Sequence, residues 1–563
     1  MRANLGTARP CRGTYDVIVF GSGLAGLSVA RALARAGRSV AVLEKAAHLG
    51  GHLLPFDRGG VRFEVGLHYI ADTGPGSAFA RGCESLGVAL PLVPLDRGFD
   101  EFRFGERGVP THGGLLGSTI FAGTFGEFTR GLGERFARHA RALEMYRHDV
   151  ELAWELSRGL RFPTRTGDYL KAALSDARFA RLVPLAGASL RDALENRYGF
   201  SPPLVEILSG QHLLMGVPPS ELSCLVHFLV HRYYFEGACF VEGGGGAMIS
   251  ALLTPEVDYH TSTQTRLRRG ADGLFHVEGC SATGSLALSA HRIVWTPDPR
   301  ALATTAPDLY GRLSPLTRLR LRSARDPHAL TVGYFATRPP LEELGFANRN
   351  VWLMGSLDAE SCYREFDPRV LAREAPLYVS TGSLRDPGAC PEGNKLGARG
   401  AFQAMFLCPG DAGPWGVVDA EHYRLPESKG GNGRAYRLVK EETLSILAAR
   451  LEEAFPALRG AWAWKELGTP LTHGRYLNST SRSGYGFAAT VGDFLWGRPS
   501  YVTGIDGLHL CGAHVKPAHG IVTALVNGVG LAERILSWEN PRRAHSPIGA
   551  PGVRCVEGVE ATS

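Results

Sequence analysis

Residues 17–51 read VIVFGSGLAGLSVARALARAGRSVAVLEKAAHLGG, and the order of parts within them decides the fold class. The apolar run at 17–19 leads into a turn holding Gly21, Gly23 and Gly26. A helix follows, with an apolar stripe at Leu24, Leu27, Ala30 and Leu33. Gly37 closes that helix, and Val40 and Val42 alternate into a second strand ending on Glu44. Strand, glycine turn, helix, strand and terminal acid together form the fingerprint of a dinucleotide-binding βαβ unit. Gly21 permits the tight turn, Gly23 lets backbone approach a pyrophosphate, and Gly26 lets the helix close on the sheet. Amides at the helix start face the phosphate charge. Glu44, eighteen residues after Gly26, falls where a carboxylate accepts hydrogen bonds from ribose hydroxyls without a 2′-phosphate. With 71 glycines in the chain a triplet alone would mean little, and the flanking periodicity is what gives it weight.

At 563 residues the chain is too long for one compact core, so two or three domains are expected. Apolar residues make up 44% and charged residues 21%, as in a globular protein. No run of about 18 uncharged apolar residues occurs, so a spanning helix is not expected. The early apolar run is short and leads straight into the glycine turn, so it reads as a core strand and not a leader. Ten cysteines, from Cys11 to Cys555, show neither a CxxC pair nor metal-ligand spacing. That usage suits a reducing, cytoplasmic setting and predicts no metal site. A net charge of +6, mostly arginine and without a basic cluster interleaved with aromatics, predicts no nucleic-acid partner. The tail beyond Trp538, rich in Pro, Gly and Arg, reads as disordered.

Farther along, residues 61–70 (VRFEVGLHYI) alternate as a strand-like ribbon. From Gly123 to Gly159 a helical stretch carries Phe125, Phe128, Leu132 and Phe136 at spacings of three or four, with Arg130, Arg135, Arg138 and Arg141 between them. Such a helix lies either on an anionic membrane surface or, more commonly, over a core. Gly243 to Gly246 form a second glycine loop followed by a helix-like run, but no strand and acid come after it, so no separate nicotinamide site is read there. Two strands flank Asp272-Gly273, and 291–296 (HRIVWT) is another apolar strand. The aromatic-rich region at 300–480, with loop signals at Asp386-Pro387-Gly388 and 430–433, is the candidate substrate-binding layer. Near the end, 508–511 reads as a strand, Gly512 as a close-approach turn, and 517–520 as the start of a helix with Ile521, Leu525, Val529 and Ala532 on one face.

Taken together, these blocks resemble the phytoene desaturase, carotenoid isomerase and retinol saturase branch of FAD-dependent oxidoreductases over roughly residues 15–536. The likeness rests on the nucleotide turn through Gly50-Gly51, on Val65-Gly66-Leu67-His68-Tyr69, on the loop from Glu242 to Leu253, on Thr469 to Gly486, and on the block from Gly507. The first and last blocks are shared with amine oxidases; the second and the Thr469 patch favour the polyene side. In two-dinucleotide-binding flavoproteins the chain turns back over the adenosine at the Gly50-Gly51 position, where residues without a Cβ fit best.

The resemblance implies an α/β fold, a Rossmann-like FAD domain of glutathione-reductase type interleaved with a mixed α+β substrate domain. The expected division is a flexible 1–14, FAD-binding parts at 15–75, 226–300 and 486–538, substrate parts at 76–225 and 301–485, and a tail at 539–563. Noncovalent FAD is expected on Gly21, Ser22, Gly23, Leu24, Ala25, Gly26, Glu44, Lys45, Gly50, Gly51, His52, Leu67, His68, Thr265, Gly512, Ala513, His519, Gly520, Ile521 and Val522. Many relatives carry an acid where Ala513 stands, which shifts more of the binding to backbone amides, and Cys511 lies nearby. His68 is the first candidate for proton exchange, with Tyr69 and Tyr476 behind it and His473 and His514 weaker. His68 equally fits a packing or flavin-contacting role.

The implied substrate is a long hydrophobic polyene or isoprenoid that is saturated, desaturated or isomerised. Electrons come from or go to an external quinone or reductase, and peripheral contact with a membrane is one reading. A flavin amine oxidase of the same fold and a noncatalytic, membrane-associated flavin-binding protein are the alternatives.

Overall fold

The computed structural model describes residues 13–539 except 106–107, 109, 112, 160–164, 418–432 and 478. Both expected disordered ends fall almost wholly outside the described residues, as does most of the 430–433 loop signal. Strand Thr14–Phe20 lies at the centre of a sheet, parallel to Val40–Leu43 on one side and to the end of Gly284–Trp295 on the other. Val257–His260 extends the sheet beyond Val40–Leu43, and Leu508–Leu510 extends it beyond Trp295, both in parallel register. The first half of Gly284–Trp295 instead pairs antiparallel with Phe275–Ser281, which pairs with Gln264–Arg269. Parallel strands therefore run in the order third, second, first, fourth, fifth, and the strand order reverses between the strands ending at Phe20 and Trp295. In open α/β sheets that reversal opens a crevice for ligand.

Successive residues of the first strand enter different cores, as a pleat of period two requires. Val17 and Val19 join the larger core with Val40, Val42 and Val294, whereas Ile18 and Phe20 join a smaller one with Leu43, Ile293 and Trp295. Helix Leu24–Arg35 covers the first face, and Ile521–Glu539 packs along it. A Cβ at Gly528 would stand 2.6 Å from the Ala25 carbonyl, so only glycine lets the two helices approach this closely. Residues 521–538 are long and apolar enough to cross a membrane, but this packing makes them a core helix.

The second sheet also has seven strands, five of them from the aromatic-rich middle region. Its order is Trp462–Gly468, Ala329–Thr337, Gly400–Cys408, Leu377–Ser380, Asn350–Met354, Gly98–Phe104 and Gly117–Ala122. All neighbours are antiparallel except Asn350–Met354 with Gly98–Phe104. The larger core runs without a break from the parallel sheet to this one.

Several elements differ from the sequence expectation. The ribbon at 61–70 is a short hairpin, Phe56–Arg58 with Val61–Phe63, after which the chain leaves the ladder. It leaves because Glu64 accepts the Gly245 N–H (2.8 Å) and the Gln403 amide binds the Glu64 carbonyl. The stretch from Gly123 to Gly159 is two helices, Phe125–Arg135 and Ala140–Arg158, the first started by a Thr124–Glu127 capping box. Its apolar face is covered: Phe125, Phe128 and Leu132 are buried, with Phe128 against Phe235 at 5.2 Å. That leaves no apolar face on it for a membrane. The last helix begins at Ile521, not 517, because Pro517 lacks an N–H and Gly520, at φ +114°, is outside the helical region.

Candidate functional site

The reversal point of the parallel sheet is closed by contacts that tolerate no side chain. A Cβ on Gly26 would lie 2.1 Å from the Gly21 carbonyl oxygen, and one on Gly21 would lie 2.5 Å from Thr296 Oγ1. Thr296 itself donates to the Phe20 carbonyl (2.8 Å), tying the first strand to the fourth. A Cβ on Gly51 would press on Gly23 Cα at 3.2 Å, which sets the returning chain directly over the glycine turn. Gly23, by contrast, has open space in front of it, and as N-cap it brings no side chain to the amides that start helix Leu24–Arg35. Those amides are a ready anion site.

Glu44 holds this turn as well as facing it. One carboxylate oxygen accepts from Ser22 N (2.9 Å) and Ser22 Oγ (2.6 Å), and the other from Ala46 N (2.8 Å). Ser22 Oγ in turn accepts the Gly50 N–H at 3.0 Å. A carboxylate offers about four lone-pair sites, so capacity for a ribose hydroxyl remains. At the opposite rim, the Ala513 carbonyl accepts from Arg498 at 2.7 Å and is pressed by Gly486, whose Cβ would come within 2.4 Å. Where relatives place an acid, this chain offers a fixed backbone group.

From this cradle a cavity of about 2280 Å³ runs to the face of the second sheet. Of the residues expected around a cofactor, Gly21, Gly23, Leu24, Ala25, Glu44, Lys45, Gly51, His52, His68, Thr265, Gly512, Ala513, His519, Gly520, Ile521 and Val522 line it. Ser22, Gly26, Gly50 and Leu67 lie behind its wall. The far half is walled by Leu213, Met215, Val226, Leu229, Val230 and Tyr234 on one side and by Leu330, Tyr378 and Met405 of the second sheet on the other. None of these nine side chains is charged, and Asp72, 3.9 Å from Arg158, lines the same cavity.

His68 and Tyr69 stand where the two halves meet. Neither ring nitrogen of His68 has a hydrogen-bond partner among the described residues, and Tyr378 meets its ring edge-on at 5.9 Å. Burial, then the Arg385 guanidinium, hold the imidazole down to about 4, so it is neutral at neutral pH and not the ready proton source its residue type suggests. Tyr69 donates to Asp100 (3.2 Å) and stacks on Tyr234 at 4.0 Å. Burial, then Asp100, push its phenol well above the ordinary value. Tyr476 sits apart at the cavity rim, 55% exposed. His52 and His473 line the same wall, each held to about 4 by burial, His473 also by His52. His514 and His519 behave likewise, and His519 bonds the Leu214 carbonyl at 3.1 Å.

Sequence reasoning missed the support behind His68 and Tyr69. Asp100 accepts from Tyr69, from Gln211 (2.9 Å) and from Asn350 (2.8 Å). Arg385, only 1% exposed, donates to Asn350 Oδ1 (2.8 Å) and to the His68 carbonyl (3.0 Å). The one signal in the chain was the Arg385-Asp386-Pro387-Gly388 turn, read only as a loop.

Comparison with known proteins fits this geometry. The family description "NAD(P)-binding Rossmann-like domain" matches residues 19–85. All-trans-retinol 13,14-reductase of Homo sapiens is 24% identical over 502 residues, 84% of this chain and 77% of that protein. Phytoene dehydrogenase of Streptomyces griseus is 27% identical over 557 residues, 96% of this chain and 98% of that protein. Over most of its length the chain is thus similar to proteins named as a retinol reductase, a phytoene dehydrogenase and a prolycopene isomerase. The last of these, prolycopene isomerase of Daucus carota, is 22% identical over 92% of this chain and 80% of its own length. The fold is shared more widely. A putrescine oxidase variant superposes with a TM-score of 0.59 at 15% identity, covering 93% of this chain and 99% of the other. An oxidoreductase from Methanosarcina mazei gives 0.55 at 15% identity over 92% and 99%. The likeness to polyene-acting enzymes therefore rests on the sequence relatives, and these solved structures speak to fold alone.

Proposed function

We propose that the chain uses noncovalent FAD to act on carbon–carbon bonds of a long hydrophobic polyene or isoprenoid, by saturation, desaturation or cis-trans isomerisation. The observation that carries this reading is the continuity of one cavity from the glycine cradle to a wall built mainly of apolar side chains. Its volume of about 2280 Å³ exceeds the roughly 300–1000 Å³ of ordinary ligand pockets, leaving room for a dinucleotide and a long second ligand.

The chain's residues fit FAD at the cradle. Gly23 leaves the helix amides open to a pyrophosphate, Glu44 is placed for the ribose, and Ile521 with Val522 start a helix directed at the far end. Bound flavin would supply the two-electron chemistry. The protein's own part is to lay the polyene along Val226, Leu229 and Val230, to exclude water, and to keep His68 neutral beside the reacting carbons. A neutral imidazole accepts a proton at a free ring nitrogen more readily than it gives one. Electrons are exchanged with an external quinone or reductase. The second glycine loop is filled from inside, where a Cβ at Gly244 would lie 1.9 Å from Glu64 Oε1 and one at Gly245 1.9 Å from the Leu53 carbonyl.

The purified protein is expected to carry flavin absorbance that leaves with the cofactor on denaturation. Reduced or oxidised holoenzyme mixed with retinol-like and lycopene-like polyenes is expected to shift polyene absorbance or alter isomer retention. Flavin cycling with simple amines and release of peroxide, without any change in polyenes, would overturn the reading.

A further inference from the structure

At one end of the cavity the apolar lining stops. Helix Cys224–Tyr233 lines it with Val226, then Leu229 and Val230, then Tyr233, a face about 10 Å long at roughly 1.5 Å per residue. Around Tyr233 the wall changes character, because Asp72, Trp154, Ser157 and Arg158 also line it. Asp72 follows Tyr69 by three residues, so their Cα atoms are at most about 11 Å apart. Its backbone is left-handed (φ +48°), a conformation that Asp tolerates better than most residues. The peptide just before it is fixed by the Ala71 N–H, which donates to Tyr233 Oη at 2.7 Å.

The polar groups at this end have bonding capacity left over. Asp72 is buried, and its nearest cation, Arg158, stands 3.9 Å away, beyond hydrogen-bond reach. Burial pushes the Asp72 carboxyl up against the pull of Arg158, as befits a charge short of partners. Trp154 Nε1 is buried and has no hydrogen-bond partner among the described residues. The charges behind them are already matched: Arg232 donates to Glu151 at 2.8 Å and lies 2.6 Å from Glu236. Asp72 and Arg158 therefore leave this end close to neutral while keeping an acceptor and donors unused. A hydrocarbon terminus would leave them so, at a cost in free energy.

We infer that this end of the cavity binds a hydroxyl group, so that the substrate is a polyene or isoprenoid alcohol whose oxygen donates to Asp72 and accepts from Trp154 or Arg158. A hydroxyl is the group that uses both sides of the site. A carbonyl would leave Asp72 unbonded, and a carboxylate would meet Asp72 with like charge. An ammonium would meet Arg158 with like charge and give the Trp154 N–H no acceptor. The inference rests on the polyene or isoprenoid reading of the cavity and narrows it to one terminal group. With the hydroxyl held there, its distance from the junction at His68 and Tyr69 decides which carbon–carbon bond lies in reach of the flavin.

Titration of the oxidised, flavin-loaded protein with four ligands of one carbon skeleton tests it without turnover. Geranylgeraniol, the corresponding hydrocarbon, the aldehyde and the amine are compared by the change each makes in the flavin spectrum. The alcohol is expected to bind about tenfold or more tightly than the hydrocarbon and the aldehyde. Asp72→Asn, which still tolerates the left-handed backbone, and Trp154→Phe, which keeps an aromatic ring, are each expected to remove most of that preference and leave hydrocarbon affinity unchanged. A purely structural role for either residue would weaken all four ligands alike. Flavin content and far-UV circular dichroism report folding, and either variant serves if the other does not fold. Equal binding of alcohol and hydrocarbon, tightest binding of the amine, or an undiminished preference in the folded variants would overturn the inference. The first and last of these leave the isoprenoid reading standing, whereas failure of all four ligands to bind overturns both.

Discussion

The two seven-stranded sheets build their shares of the cavity by opposite means. The parallel sheet offers backbone: Gly21, Gly23, Gly26 and Gly51 bring main-chain atoms close, and among the described residues the side chains of Glu44, Ser22 and Thr296 tie the turn. The antiparallel sheet and its flank offer side chains: Asp100 and Asn350 from two strands and Arg385 from the short helix Gly382–Arg385 hold the segment at His68 and Tyr69 from behind. Where backbone does the holding, the loss of a single hydrogen atom from glycine is decisive. Where a buried polar network does it, damage spreads to stability before it reaches the ligand.

Four experiments break or sharpen that contrast. Gly26→Val is expected to have the largest effect, abolishing flavin retention, since no rotamer relieves a Cβ 2.1 Å from a carbonyl oxygen; a flavin-to-protein ratio after gel filtration reads it. Arg385→Met comes next. It strands the acceptors on Asn350 and His68 and is expected to cost about 3–5 kcal/mol in denaturant unfolding while the folded fraction keeps its flavin. If instead flavin is lost at full stability, the network belongs to the cofactor site and the contrast fails.

Acid is the third test. His52, His68, His473, His514 and His519 all sit near 4 in the folded chain, below their ordinary value of about 6.5. The unfolded chain therefore binds more protons between these limits, so stability present above pH 6.5 is expected to fall steadily as pH drops toward 4. Thermal melts across that window check it, and a flat profile would show that water reaches the cavity wall. Glu64, raised to about 7 by burial, works in the opposite direction and softens the slope without reversing it. The smallest effect is expected from Tyr476→Phe. At an exposed rim it should change kcat/KM by less than about threefold, whereas a loss of a hundredfold or more would place proton transfer there.

The same contrast explains what could be read from the sequence. The parallel sheet's turn was legible because its parts follow one another within thirty-five residues and each glycine has a local reason. Thr296 escaped notice although it closes the turn, because its partner Phe20 lies 276 residues away. The Asp100 network was illegible for the same reason in stronger form: Asn350 and Asp100 are 250 residues apart, and single polar residues in apolar strands carry no periodic signature. His68 was found by resemblance, but its neutral state depends on burial and on Arg385, which no motif announces. The helical stretch at 123–159 left both a core face and a membrane face open, because amphipathicity tells that a face is covered, not by what.

The packing of Ile521–Glu539 against Leu24–Arg35 also sets a schedule for synthesis. A ribosome delivers the first glycine turn early, but the helix that completes the cleft emerges some five hundred residues later. Until then the nascent chain keeps an apolar helix bare, so cofactor capture is a late event and any stop codon before residue 521 yields a colourless, aggregation-prone fragment.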